Sequence, residues 1–252
     1  MNAAAAPSPE EARLDPLELY AAGIDGSDYV AKLALLLRAA VSRIGDLLDI
    51  GAGGGQLGQA IRNPSASWIA VEPAAAMQQR LRTLIPPPRL IEADWRRADL
   101  PPACADTVLA ANMPAPLTDA AEFLARCRYW ARRSVVWVVP AQNGPRGLCL
   151  AGCLPRTWHD EDETPGVEIV LRGLPPRDRP AIAARADWTF SVVTPDLARL
   201  SAYLADRLHW PPDDPRRPEI HDHLAAQAVP VDGGLRLSVP RASALLVWRH
   251  DS

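Results

Sequence analysis

Asp46-Leu47-Leu48-Asp49-Ile50-Gly51-Ala52-Gly53-Gly54-Gly55 is the stretch on which the fold turns. A short apolar run stops at Ile50, glycines follow at once, and Gln56 to Arg62 then has the look of a helix, so the stretch is a strand, a tight turn and a helix start. Working outward, Ser67 to Glu72, Arg89 to Glu92, Asp106 to Ala111 and Ser134 to Val139 are further strand-like runs. Helical spacing lies between them: Met77, Leu81 and Leu84 share one face, and Phe123, Leu124, Cys127 and Trp130 recur after Thr118 and Asp119. Upstream, Asp28 to Arg43 is expected to be a helix, and Ser8-Pro9-Glu10-Glu11 carries the order of residues that starts another. Strands alternating with helices at this spacing imply a parallel sheet covered by helices on both faces.

The rhythm changes after Pro140. Residues 140–194 hold glycine- and proline-rich connections, an acidic cluster from Asp160 to Glu163, and two strand-like runs, Val167 to Leu171 and Trp188 to Val193. Thr194-Pro195 opens a helix with Leu197, Leu200, Leu204 and Leu208 along one face. A polar, proline-rich connection follows. Leu235 to Val239 and Ala244 to Trp248, separated by a short turn, are expected to close the chain as an antiparallel hairpin.

Composition narrows the function. The 252 residues are 48% hydrophobic and 23% charged, the balance of an ordinary globular protein. No apolar stretch approaches the roughly 18 residues of a membrane span, and the start MNAAAAPSPEEARLDP lacks the basic-then-apolar order of a secretory signal. A cytoplasmic location is expected. Four cysteines are too few for a disulfide scaffold and fit a reducing compartment. A net charge of −3 gives no global attraction for phosphate backbones, which makes nucleic acid a poor partner.

Chemistry concentrates at one edge. Open parallel sheets bind ligands beyond the carboxyl ends of their strands, and a glycine turn after the first strand marks the place. Asp49, Gly51, Ala52, Gly53 and Gly55 build that turn, where backbone can approach a ligand and free amides face it. Glu72, 21 residues after Gly51, ends the second strand, where a carboxylate can accept from both hydroxyls of a ribose. Asp94, followed by Trp95, comes just past the third strand, in position to accept from an adenine amino group beside apolar cover. In that order they describe one adenosine-containing ligand lying across strands one to three.

With these residues in place, the chain resembles the class I S-adenosylmethionine-dependent methyltransferases over about residues 46–139. The resemblance implies a Rossmann-like, mostly parallel seven-stranded sheet in a single domain. Residues 1–44 would be an N-terminal helical lid, 45–139 the cofactor-binding half, 140–194 a substrate-side insertion after strand five, and 195–252 the C-terminal helices and closing hairpin. It implies S-adenosylmethionine as cofactor, held by the glycine turn, Glu72, Asp94 and Trp95, with Asn112-Met113 after strand four bordering the methyl group. Asn112-Met113-Pro114-Ala115 is similar to the motif by which some amino-directed members hold a planar nitrogen, but it lacks the second proline and the final aromatic.

Several residues admit a rival chemistry. Gly53-Gly54-Gly55-Gln56-Leu57-Gly58 also satisfies the dinucleotide pattern, which would make an NAD(P)-dependent oxidoreductase; register opposes this, because Gly51 is the first residue after the strand and Gln56 then stands where the third glycine belongs. A noncatalytic adenosine-binding scaffold, or an RNA or protein methyltransferase, would carry the same glycine turn and acids. On the substrate side, Tyr20, Tyr29, Cys149 and Cys153 are candidates, with His159 as a candidate general base because its pKa lies near neutrality. Cys149-x3-Cys153 beside His159 matches no strong zinc spacing, and no metal is expected. The expected partner is a small-molecule methyl acceptor, with no membrane; the oligomeric state is not encoded in any pattern here.

Overall fold

The computed structural model describes residues 14–113, 116–142, 149–159 and 162–249. The helix start at Ser8 to Glu11 lies outside these residues. Five parallel strands form the first part of the sheet: β1 (Leu47–Ile50), β2 (Trp68–Val71), β3 (Arg89–Ile91), β4 (Ala105–Ala111) and β5 (Ala131–Pro140). Two long strands, β6 (Ile182–Thr194) and β8 (Gly234–Arg249), extend it, and the short β7 (Val229–Val231) pairs with the start of β8. The order is β3-β2-β1-β4-β5-β8-β6, in which β8 runs antiparallel to both neighbours.

Alternation along the strands divides the core between the two faces. Leu47, Leu109, Val136 and Val138 pack on one side with helices α1 (Pro16–Asp25), α2 (Tyr29–Ala40) and α3 (Gln56–Ile61). Leu48, Ile50, Val108 and Trp137 pack on the other with α5 (Ala120–Trp130) and α6 (Gly166–Gly173). The side chains of β1 and β2 are buried throughout, as expected of central parallel strands roofed on both faces. α4 (Ala75–Thr83) joins β2 to β3 and contributes Leu81 to the first face.

Three expectations need correction. Val167 to Leu171 is not a strand: it lies in α6, where Val170 and, just beyond the helix, Leu174 are buried one turn apart. A five-residue apolar run satisfies either period, and Pro165, ahead of the first helical residue, sets the helical one. The polar connection after α7 (Leu197–Arg207) contains another helix, α8 (Arg217–Gln227), in which Pro218 sits in the first turn and only Ile220 and Leu224 are buried. Two apolar positions are too few to announce a period.

The closing hairpin is a single strand. Residues 240–243, expected to turn, run straight on within β8 and pair with Ala186 to Thr189 of β6. Pro240 is tolerated for a geometric reason. Ala242 directs its N–H to Gln142 and its carbonyl to Ala141, so Pro240, two residues along and facing the same way, looks past the end of β5, where no strand needs its missing N–H. The ribbon of β6 and β8 therefore climbs beyond the carboxyl edge of the parallel strands. α1 and α2 lean on it there: Phe190 of β6 lies 6.2 Å from the ring of Tyr20, and Trp188 lies 4.7 Å from that of Tyr29.

Candidate functional site

Past the carboxyl ends of β1, β2 and β4 is a cavity of about 280 Å³. Its floor is the glycine turn. Gly51 leaves β1 with φ +62° and donates its N–H to the Val71 carbonyl of β2, and a Cβ here would sit 2.6 Å from the sulfur of Met113. Only glycine meets both demands. The Gly53 N–H is held at 2.8 Å by Glu72, whose other oxygen accepts from the Ala74 N–H at 2.9 Å. A carboxylate has about four lone-pair sites, so two remain for a ligand.

α1 forms the opposite wall through Leu17, Tyr20 and Ile24. Its N-terminus is capped by Asp15, which accepts from the Leu17 N–H at 2.7 Å. Its C-terminal end is fastened across the turn: Asp25 accepts from Gln56 Nε2 at 2.8 Å and pairs with Arg80 of α4. The helix thus closes over the turn as a strap tied to the elements on either side.

Electrostatically the cavity is acidic beneath and apolar above. Asp49 is buried, and burial, reinforced by the negative charge of Glu72, pushes its carboxyl up to about 8. Tyr29 lies wholly in the wall; burial first, then Tyr20 and Asp49, raise its phenol well above the ordinary value, so it stays a neutral hydroxyl. That hydroxyl has no hydrogen-bond partner among the described residues. Asn112, just past β4, adopts φ +53°, a conformation asparagine tolerates, and donates from Nδ2 to the Tyr20 hydroxyl at 3.3 Å.

The fold thus brings Tyr20, Tyr29, Asp49, Gly51, Ala52, Gly53, Glu72 and Asn112 around one space. Other candidates lie elsewhere. Gly55 starts α3 with φ +81° against Leu81 and Leu84, outside the cavity wall. Asp94 accepts the Arg96 and Arg97 N–H groups at 2.7 and 3.1 Å, capping the turn after β3. The Trp95 ring is buried in the second core, edge-on to Phe123 at 5.1 Å, with Arg96 over its face at 4.1 Å. Cys153 is buried, and that burial raises its thiol to about 11. His159 follows the short turn Arg156–Trp158 with its Nδ1 buried, and neither Cys153 nor His159 lines the cavity. Cys149 opens the short helical turn that ends at Cys153. Among the described residues no three His, Cys, Asp or Glu side chains are grouped to hold a metal ion.

Sequence reasoning missed Leu17, Gln56 and Met77 of the wall. Gln56 was visible as the residue after the last glycine of the turn, but its tie to α1 spans 31 residues and depends on how that helix folds back.

Residues 48–136 match a family model described as "Methyltransferase domain". No curated protein matches the chain in sequence. Solved structures with a similar fold include a candidate methyltransferase from Bacillus halodurans, 13% identical, with 88% of this chain and 100% of that one covered at a TM-score of 0.53. A candidate type II methyltransferase from Anaeromyxobacter dehalogenans is 19% identical over 86% and 93% of the two chains, with a TM-score of 0.54. A protein studied for conversion of a disulfide bond into a thioacetal group in echinomycin biosynthesis is 12% identical over 87% and 82%, also at 0.54.

Proposed function

We propose that this chain, whose residues 48–136 match a methyltransferase-domain model, is a class I methyltransferase that transfers a methyl group from S-adenosylmethionine to a small-molecule nucleophile by in-line displacement. The observation that carries the reading is the one cavity in which the glycine turn, the free lone pairs of Glu72 and the Tyr20–Asn112 pair all meet. Its chemistry suits the donor, since the ribose hydroxyls and the positive charge both find the Glu72 carboxylate, while the protonated Asp49 adds a neutral polar group beneath.

When bound, S-adenosylmethionine supplies a methyl group already activated by its sulfonium. The chain's part is therefore binding and alignment, which can account for several kcal/mol of barrier lowering, on the order of 7–11 in the best-oriented cases. Glu72 accepts from the ribose, and the Gly51 to Gly54 backbone allows close approach. Asp94 uses its remaining lone pairs for the adenine amino group. Because the Trp95 ring is committed to the core, that residue contributes to the adenine site through its backbone. Tyr20 and Asn112 border the acceptor side, and α1 excludes water from the space.

A small acceptor is favoured because the net charge is −3 and the reactive edge is strapped over by α1, conditions that do not suit a nucleic-acid backbone. The involvement of a fold relative in echinomycin biosynthesis is in keeping with that choice. Among the described residues no helix is long and apolar enough to cross a membrane. The test incubates the protein with isotope-labelled methyl donor and metabolite pools. Labelled low-mass products are expected, while label appearing only in RNA or protein, or NADH binding in place of the donor, would overturn the reading.

A further inference from the structure

Asp49 and Glu72 are both buried and both line the donor cavity, yet their surroundings differ. Glu72 accepts two backbone N–H groups, whereas Asp49, 3% exposed, makes no hydrogen bond to any described residue. Its side chain leaves β1 on the face of Leu47 and reaches under α3, where a Cβ on Gly58 would sit 2.2 Å from Asp49 Oδ2, so that glycine makes the room. The ionisable groups that share its cavity are Tyr29 from α2, Tyr20 from α1 and Glu72 at the end of β2. α3 carries none, the strand neighbours of Asp49 are Ala70 and Leu109, and Arg80 of α4 is paired with Asp25 of α1. No cation stands among the described residues that line the cavity. A bare carboxylate there would be costly, so Asp49 keeps its proton, burial first and Glu72 second pushing its carboxyl up to about 8.

The donor changes this balance. With its purine toward β3 and its ribose at Glu72, its methionine end falls toward β1, where Asp49 lies, and that end carries an ammonium. An opposite charge within about 4–6 Å lowers the pKa of a carboxyl by about 1–3. We propose that donor binding ionises Asp49: the ammonium of the methionine end drives the carboxyl proton into solvent, and the ion pair so formed holds that end until the product leaves and the proton returns. The O–H bond breaks with its electron pair left on the carboxylate, water takes the proton, and no other bond changes. Tyr29 is not the source, because burial holds its phenol proton well above the ordinary value. The inference rests on the methyltransferase reading and gives it a pH dependence. Since the donor favours the ionised acid, binding tightens as pH rises toward about 8.

The experiment titrates the full chain by calorimetry at about pH 7 with S-adenosylhomocysteine, which keeps the amino-acid end, and with 5′-methylthioadenosine, which lacks it. Each titration is run in phosphate and in Tris, whose ionisation heats differ, so the difference in binding heat counts the protons released. S-adenosylhomocysteine should release between about half a proton and one proton per chain, with an affinity that rises at least about twofold from pH 6 to 7, and 5′-methylthioadenosine should release none. Asp49→Asn, in which an amide of equal size replaces the neutral acid, should bind S-adenosylhomocysteine with no proton released and an affinity flat over that range. Should this variant not fold, the contrast between the two ligands on wild type decides. Saturable binding of S-adenosylhomocysteine with equal heat in both buffers, equal release by the two ligands, or undiminished release in Asp49→Asn overturns the proposal. Failure of both ligands to bind wild type refutes the donor site instead, and so separates the two readings.

Discussion

The two halves of the sheet reach the site in different ways. On the donor side, β1 and β2 have only 4 residues each, end at one edge, and hand the chain directly into turns that line the cavity. On the acceptor side, β6 and β8 run for 13 and 16 residues, pass that edge, and form a wall that supports α1 and α2 from behind. The donor half positions ligand groups with backbone and one carboxylate; the ribbon half positions a helix. Substitutions in the first should therefore damage binding while sparing the fold, and substitutions in the second should do the reverse.

Phe190→Ala presents the largest expected effect. The ring is buried, stacks with Tyr20 and fills the space against Gly23, so its loss should lower stability by about 3–5 kcal/mol in denaturant unfolding. A variant of wild-type stability would show that the ribbon does not support α1. Next is Glu72→Ala, expected to weaken S-adenosylhomocysteine binding by about 1–3 kcal/mol in calorimetry through lost charge-assisted hydrogen bonds. If binding persists at wild-type strength, the donor half does not work as described.

Asp49 sets a pH dependence. Its carboxyl keeps its proton to about pH 8 in the folded chain, against an ordinary value of 3.8, so between these the unfolded chain binds fewer protons. Stability contributed by this group is full below the lower value and declines as pH rises through the window to about 8. Thermal melts of Asp49→Asn from pH 5 to 8 should show a shallower decline than wild type; parallel curves would place the ionisation elsewhere. The smallest effect belongs to the strap. Asp25→Ala removes exposed contacts to Gln56 and Arg80, worth about 0–1 kcal/mol, and should raise the donor KM a few-fold with the melting temperature nearly unchanged. An unaltered KM would mean that α1 needs no tie at that end.

The same contrast governs what could be read from sequence. Asp49 to Gly55 and Glu72 were legible because strand, glycine turn and acid are local signals, repeated within a few residues at the edge where parallel sheets bind. Asp94 was legible as an acid at a strand end, but not its job of capping the following turn. The ribbon was misread because Pro240 looks like a turn residue when the register that excuses it, Ala242 facing Ala141 and Gln142, is unknown. The Tyr20–Asn112 contact joins residues 92 apart, and no pattern along the chain announces such a meeting. Val167 to Leu171 shows the remaining limit: an apolar run that fits two periods is settled by its neighbours in space.

Isothermal titration of S-adenosylhomocysteine into the folded protein probes the donor cavity itself. One site per chain is expected, with an affinity that falls at least about fivefold in Glu72→Ala and is indifferent to substitution at the exposed Tyr129. Absence of any saturable heat in wild type, from either this compound or S-adenosylmethionine, would mean that the glycine turn and Glu72 do not form a methyl-donor site.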